Sequence, residues 1–181
     1  SRQRMEFKLN IRPGGGRGAA LPDAIRYRLE KDLKRRAEAM KGRATLRIGM
    51  PRVLNMYSQA PVFNGYFAAL GLKPENLVWS DFTSEELYKS GAKRGSIDPC
   101  FPSKLGIPHV HNLLHTHHEK KKLDIIFFPM IDCLPSFLKS TLASRACPTV
   151  ATTPEAVKAA FVKEGDLFAS MGTKFYDTFV N

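Results

Sequence analysis

Cysteine is scarce in this chain of 181 residues: there are three, an odd number at wide spacing. That argues against a disulfide framework and for a reducing compartment, the cytoplasm. No apolar run approaches the roughly 20 residues that a membrane span needs, and the basic N-terminus has no apolar core behind it. Neither a transmembrane helix nor a signal peptide is therefore expected. Gly14, Gly15 and Gly16 form a glycine run, but the Lys-Ser/Thr of a phosphate loop is missing and no apolar strand leads straight into the turn. The run reads as a flexible loop. No internal repeat is present. Acidic residues are few where basic ones are densest: residues 1–50 hold 14 Lys+Arg against 5 Asp+Glu, which is +9 of the formal net charge of +11. A uniformly basic surface would point to nucleic acid. A basic segment on a near-neutral body points instead to an extension with its own partner, such as an acidic neighbouring domain or a second copy of the chain. Aromatic residues do not interleave with these charges, as single-strand binding would favour.

What is present is ordinary for a globular protein. With 43% hydrophobic and 25% charged residues the chain suits one domain with an appendage, able to bury about 70% of its unfolded surface. It begins with Ser1, which suggests a piece of a longer protein. We expect a basic N-terminal extension over residues 1–43, containing a strand-like stretch at 5–11 and then a helix. Pro22 and Asp23 are start signals, Ile25, Leu29, Leu33, Ala37 and Met40 form a narrow apolar stripe, and Gly42 marks the end. From Thr45 strand and helix alternate. LRIGMP is a strand, APVFNGYFAALG a helix closed by Gly71, NLVWSD a second strand, and SEELYKSG a helix capped by Ser84. LDIIFFPMI is the most apolar strand and reads as central. A helix near 136–143, a short strand PTVAT and a helix starting at Pro154 follow. The fold class is α/β: over residues 44–181, a doubly wound, mostly parallel sheet with helices on both faces, whose ligands lie beyond the carboxyl ends of the strands.

The chain is organised around the stretch at 96–111, where Cys100 sits between Pro99 and Pro102. Each proline lacks a donor and disfavours helix in the residue before it, so a rigid turn presents the thiol. The helix that follows would favour a thiolate at its N-terminus, which suits a metal ligand or a nucleophile. Cys133 follows an apolar run, and Cys147 again precedes a proline. Scattered cysteines are commonly structural, and spacings of 33 and 14 residues match no ferredoxin run. All five histidines, His109, His111, His115, His117 and His118, fall within ten residues. One of them could join Cys100 in a zinc site, although the cluster reads more simply as a solvated helix end.

The segments IGMPRVLNMYSQAPVFNGYFAALGL, SDFTSEELYKSG and CFPSKL, the strand ending in FFP and the later CPTV carry a resemblance. Over about residues 46–165 the chain resembles the uncharacterised domain of large proteins related to the activator of 2-hydroxyglutaryl-CoA dehydratase. That domain is similar in turn to the subunits of the 2-hydroxyacyl-CoA dehydratase and benzoyl-CoA reductase family. The resemblance implies a four-iron, four-sulfur cluster held on three cysteines, and the matching positions are Cys100, Cys133 and Cys147. It implies as partners the other domains of a full-length activase-like protein and a CoA thioester. The activator's ATP-binding module and its bridging cysteine are not found here, nor is an evident site for the CoA adenine. The chain alone is thus expected not to hydrolyse ATP, and a cluster-binding scaffold is implied more strongly than dehydration.

Arg52, Asn55 and Tyr57 lie in the loop after the first strand, which faces the crevice and could touch a cluster-bound ligand. Alternatively Arg52 pairs with a carboxylate and Asn55 caps the next helix. Lys104, one turn after Cys100, could offset the charge of a thiolate-ligated cluster. Asp81 and Asp132 sit at strand ends and are compatible with capping. Three functions follow: an iron–sulfur redox domain of an activase-like protein, a zinc or apo structural module for assembly, and a basic binder of nucleic acid or acidic protein.

Overall fold

The computed structural model describes residues 23–95, 100–133 and 144–180. The strand expected at 5–11, the glycine run and the helix expected at 136–143 lie outside these residues. The chain divides into two compact units, residues 1–38 and 39–181. The described part of the first belongs to α1, Asp23–Arg43, along which Ile25, Leu29 and Leu33 are exposed.

In the second unit, β1 (Ile48–Met50) is followed by a short α2 (Asn55–Ser58) and by α3 (Ala60–Ala69). Gly71 closes α3 at φ 97°, a left-handed conformation that glycine adopts without steric cost. β2 (Leu77–Trp79) leads to α4 (Glu85–Gly91), whose first turn is capped by Ser84 accepting from the Leu87 N–H at 3.1 Å. A 3-10 turn, Ala92–Arg94, precedes α5 (Phe101–Lys104) and α6 (Gly106–Asn112). The break at Leu105 has a local cause: Pro108 has no N–H to give the Lys104 carbonyl. The helix then widens into a π-helical stretch, Leu113–His118, which the apolar spacing does not reveal.

β3 (Ile125–Phe127) and β4 (Met130–Ile131) both come from LDIIFFPMI, separated at Pro129, and then come α7 (Pro148–Val162), α8 (Leu167–Ser170), β5 (Lys174–Tyr176) and β6 (Phe179–Val180). Four strands form one parallel sheet in the order β2-β1-β3-β5, and β4 and β6 pair in parallel as a second. The α/β class is as expected, with β3 inside the sheet beside β1. Helices take both faces. Phe63 and Phe67 of α3 meet the Phe127 ring at 5.4 and 5.1 Å. Gly49 faces the other way, where an added Cβ would lie 2.8 Å from Leu123 and 3.3 Å from Leu113. Val110, Leu113, Leu114, Leu123, Ile126 and Val157 are fully buried in the resulting core.

Two expectations are corrected. PTVAT is not a strand, and the last long helix does not begin at Pro154. Pro148 occupies the start of α7 behind an extended Cys147, which suits its fixed φ. Pro154 is carried within the helix directly after Thr152 and Thr153, which turn their hydroxyls onto the carbonyls of Pro148 and Thr149, at 2.9 and 2.6 Å. The chain past Val162 also supplies α8, β5 and β6, which strand signals this short do not announce. No helix among the described residues is long and apolar enough to cross a membrane.

Candidate functional site

Because the strands run parallel, the segments that follow β1, β2 and β4 leave from the same edge of the sheets. A buried polar network ties the first two to α6. Ser80 Oγ accepts the Arg52 backbone N–H at 2.7 Å and lies 2.8 Å from His109 Nδ1, while His109 Nε2 lies 3.0 Å from Thr83 Oγ1. A neutral imidazole has one donor and one acceptor nitrogen, and two hydroxyls satisfy both. Burial, and then the nearby Arg52 guanidinium, push the His109 pKa down to about 4. His109 is thus part of the core and not of a solvated helix end, which corrects the reading of the five histidines as one exposed group.

Asp81 faces solvent from the same edge. Its backbone N–H donates to Asn112 Oδ1 at 3.0 Å, Asn112 Nδ2 donates to its Oδ2 at 2.8 Å, and His117 Nε2 lies 3.1 Å from its Oδ1. The Asn112 hydrogen bond, with the nearby His117 assisting, holds the carboxyl below its usual range against the opposing effect of burial.

Among the described residues Arg52 pairs with no carboxylate. Its Nε donates to the Ser80 carbonyl at 3.1 Å, and its guanidinium stands 4.3 Å from the Phe82 ring centre and 5.9 Å from that of Trp79. The charge is thereby held by a peptide carbonyl and two rings. Asn55 is the first residue of α2 and makes no cap, because Leu54 holds that position with φ 52°. Asn55 lines a small depression of about 180 Å³ together with Gln59, Asp132, Cys133, Arg145 and Ala146. Tyr57 is 59% exposed, and Lys104 is half-buried at the end of α5.

Cys100 and Cys147 are the N-cap residues of α5 and α7. α5 and α6 both pack on α7: the Ser103 and Thr153 hydroxyls are hydrogen-bonded, and a Cβ on Gly106, at the start of α6, would meet Thr153 and Val157. From Ser103 of α5 to Gly106 of α6 the contacts on α7 extend from Thr153 to Val157, so α7 runs in the same direction as the α5–α6 segment. His109, in the middle of α6 and bonded to Ser80, holds α6 against the carboxyl end of β2. Cys133 leaves β4 and forms an antiparallel bridge with Arg145, two residues before Cys147. Arg145 donates to Asp132 at 2.8 Å, and the Ala146 N–H donates to the Asp132 carbonyl at 2.6 Å, which draws the approach to Cys147 against the strand end. The elements that carry the three cysteines therefore share one edge. Among the described residues no group of three or more His, Cys, Asp or Glu is arranged to hold a metal ion. Three thiols are nonetheless the donor type that iron–sulfur clusters and zinc select, so the residues fit such a group in kind.

The remaining histidines are engaged elsewhere. Arg94 donates to His111 Nδ1 at 3.2 Å and lies 3.1 Å from His115 Nε2, the two imidazoles are 4.3 Å apart, and His115 Nδ1 is 2.8 Å from Glu119. Burial first, then His115 and Arg94, lower the His111 pKa to about 4. His118 Nδ1 accepts the Leu123 N–H at 3.2 Å. Sequence does not announce Ser80, Thr83 and Arg94, because each acts on a side chain 17 to 29 residues away and no local pattern marks such a partner.

Residues 47–180 match the family described as the CoA enzyme activase uncharacterised domain, a span that includes β5 and β6. No curated protein and no solved structure matches the chain.

Proposed function

This chain belongs to the family of the CoA enzyme activase uncharacterised domain, and on that premise we propose that it is a cytoplasmic iron–sulfur redox domain of an activase-type system. In this reading Cys100, Cys133 and Cys147 hold a four-iron, four-sulfur cluster that serves 2-hydroxyacyl-CoA dehydratase-type chemistry. The observation that supports it is the shared edge: two N-cap cysteines on adjacent helices, and a third on the strand end bridged to Arg145. When bound, such a cluster supplies one-electron transfer.

The chain's own residues make that edge suitable for anionic sulfur. α7 has 15 residues, and the backbone N–H groups of its first turn, unpaired within the helix, favour a thiolate at Cys147. Arg145 stands beside Cys133, and Arg52 presents its charge from the loop after β1. Lys104 adds a cation at the end of α5. Asn55 lines the depression beside Cys133 and would orient whatever lies over the thiols, with Tyr57 further out along the same short helix.

Anaerobic reconstitution with iron and sulfide tests this reading. The chain should develop the visible charge-transfer absorption of a thiolate-bound cluster, and Cys100→Ala, Cys133→Ala and Cys147→Ala should each lose it. Full absorption in any one variant would remove that cysteine from the ligand set. Zinc uptake in place of iron, with the same dependence on the three cysteines, would favour a structural module.

A further inference from the structure

Serine and threonine are mostly exposed in folded proteins, yet Ser103 and Thr153, each 1% exposed, meet between the helices capped by Cys100 and Cys147. Their hydrogen bond has a fixed direction. A hydroxyl owns one proton, and that of Thr153 goes to the Thr149 carbonyl of its own helix at 2.6 Å. Ser103 is therefore the donor and Thr153 Oγ1 the acceptor. Because this back-bond holds the Thr153 rotamer within α7, the accepting oxygen is oriented independently of Ser103. Packing around the pair is close: a Cβ on Gly106 would meet the Thr153 methyl at 3.1 Å, Val157 at 2.9 Å and Phe128 at 3.6 Å.

Ser103 is three residues from Cys100, less than one helical turn, and Thr153 is six from Cys147, less than two. An apolar contact at this place would let the helices slide past each other. A directional one fixes their register. We propose that Ser103 and Thr153 are positioning residues that set Cys100 against Cys147 for one shared cluster. The proposal deepens the iron–sulfur reading and rests on it. Both hydroxyls act through the helix starts and not as ligands, while Cys133 has its own tether in the bridge to Arg145.

The test removes both hydroxyls at once, Ser103→Ala with Thr153→Val, because replacing both partners by apolar groups of similar shape costs little stability. In a Cys133→Ala background only Cys100 and Cys147 remain, and without metal o-phenylene bismaleimide can bridge them. The bridging rate is set against single-site alkylation by N-ethylmaleimide. The double variant should melt close to its parent yet bridge about fivefold more slowly, the worth of one hydrogen bond. Thr153→Ser, which retains the hydroxyl, should bridge like the parent. With all three cysteines present and iron and sulfide reconstituted, the double variant should release iron to a chelator faster by the same factor. Should the double variant fail to fold, Ser103→Ala alone carries the same comparison. No bridging in the parent, bridging at the parent rate without the hydroxyls, or an equal loss in Thr153→Ser would each overturn the positioning role. An unaltered chain that takes up no iron overturns the iron–sulfur reading, and with it the purpose assigned to the pair, whereas the bridging rates, read without metal, overturn the positioning alone.

Discussion

The Ser80 hydroxyl lies 2.8 Å from Nδ1 of His109, and both side chains are sealed from solvent. The same hydroxyl accepts the Arg52 N–H, so one atom links the segment after β1, the end of β2 and the middle of α6. Ser80→Ala leaves a buried imidazole nitrogen and a backbone donor without a partner. We expect a loss of about 1–3 kcal/mol in urea unfolding. An unchanged midpoint would mean that solvent reaches these groups.

Neutral His109 and His111 give the fold a defined response to acid. Both have folded pKa values of about 4, below the ordinary 6.5. Between these values the unfolded chain binds protons that the folded chain does not. Stability should therefore be independent of these groups above about pH 6.5 and fall as pH drops toward 4, by up to about 3 kcal/mol from His109. Imidazole NMR resonances report it directly: those of His109 should stay at their neutral positions through pH 5.5. A transition near 6.5 would contradict the buried network.

Two glycines in helices should respond in opposite directions to alanine. An added Cβ on Gly91 would lie 2.4 Å from the Pro108 Cα, where α4 meets α6 and backbone would have to move. Gly91→Ala should destabilise by about 2 kcal/mol or more. Gly65, within α3, has nothing within 4 Å of the same position. Gly65→Ala should stabilise by about 0.5–1 kcal/mol through its higher helix propensity. Thermal melting of the two variants separates these outcomes, and equal shifts would contradict the packing of α4 on α6.

Residues 1–43 are proposed as an extension distinct from the α/β body. Basic side chains and exposed Ile25, Leu29 and Leu33 make α1 a ready tryptic substrate. Limited trypsin digestion should remove α1 well before it cuts the sheet. Equal resistance would assign the segment to the body.

How much was legible before the structure depended on how local the signal was. The Ser84 cap, Gly71 at the end of α3 and the apolar β3 follow from chemistry within a few residues. At Pro148 a threonine- and valine-rich segment before Pro154 carries the signature of a strand, while the N-cap geometry of Cys147 decides for helix. β5 and β6, two short strands with exposed Lys174 and Phe179, gain their order from pairing with β3 and β4. At the candidate site the three cysteines were visible as residue types in proline-marked turns. The Ser80–His109–Thr83 network was not, because its partners lie 26 and 29 residues apart and meet only through the parallel topology.

The central claim is that Cys100, Cys133 and Cys147 jointly hold one cluster, and the most direct test is the iron and acid-labile sulfide content of the anaerobically reconstituted chain, set against a variant with all three changed to Ala. The account predicts about four iron and four sulfide per chain in the first and none above background in the second. Equal iron in both, or no iron in the unaltered chain under conditions that load a known cluster protein, would contradict it.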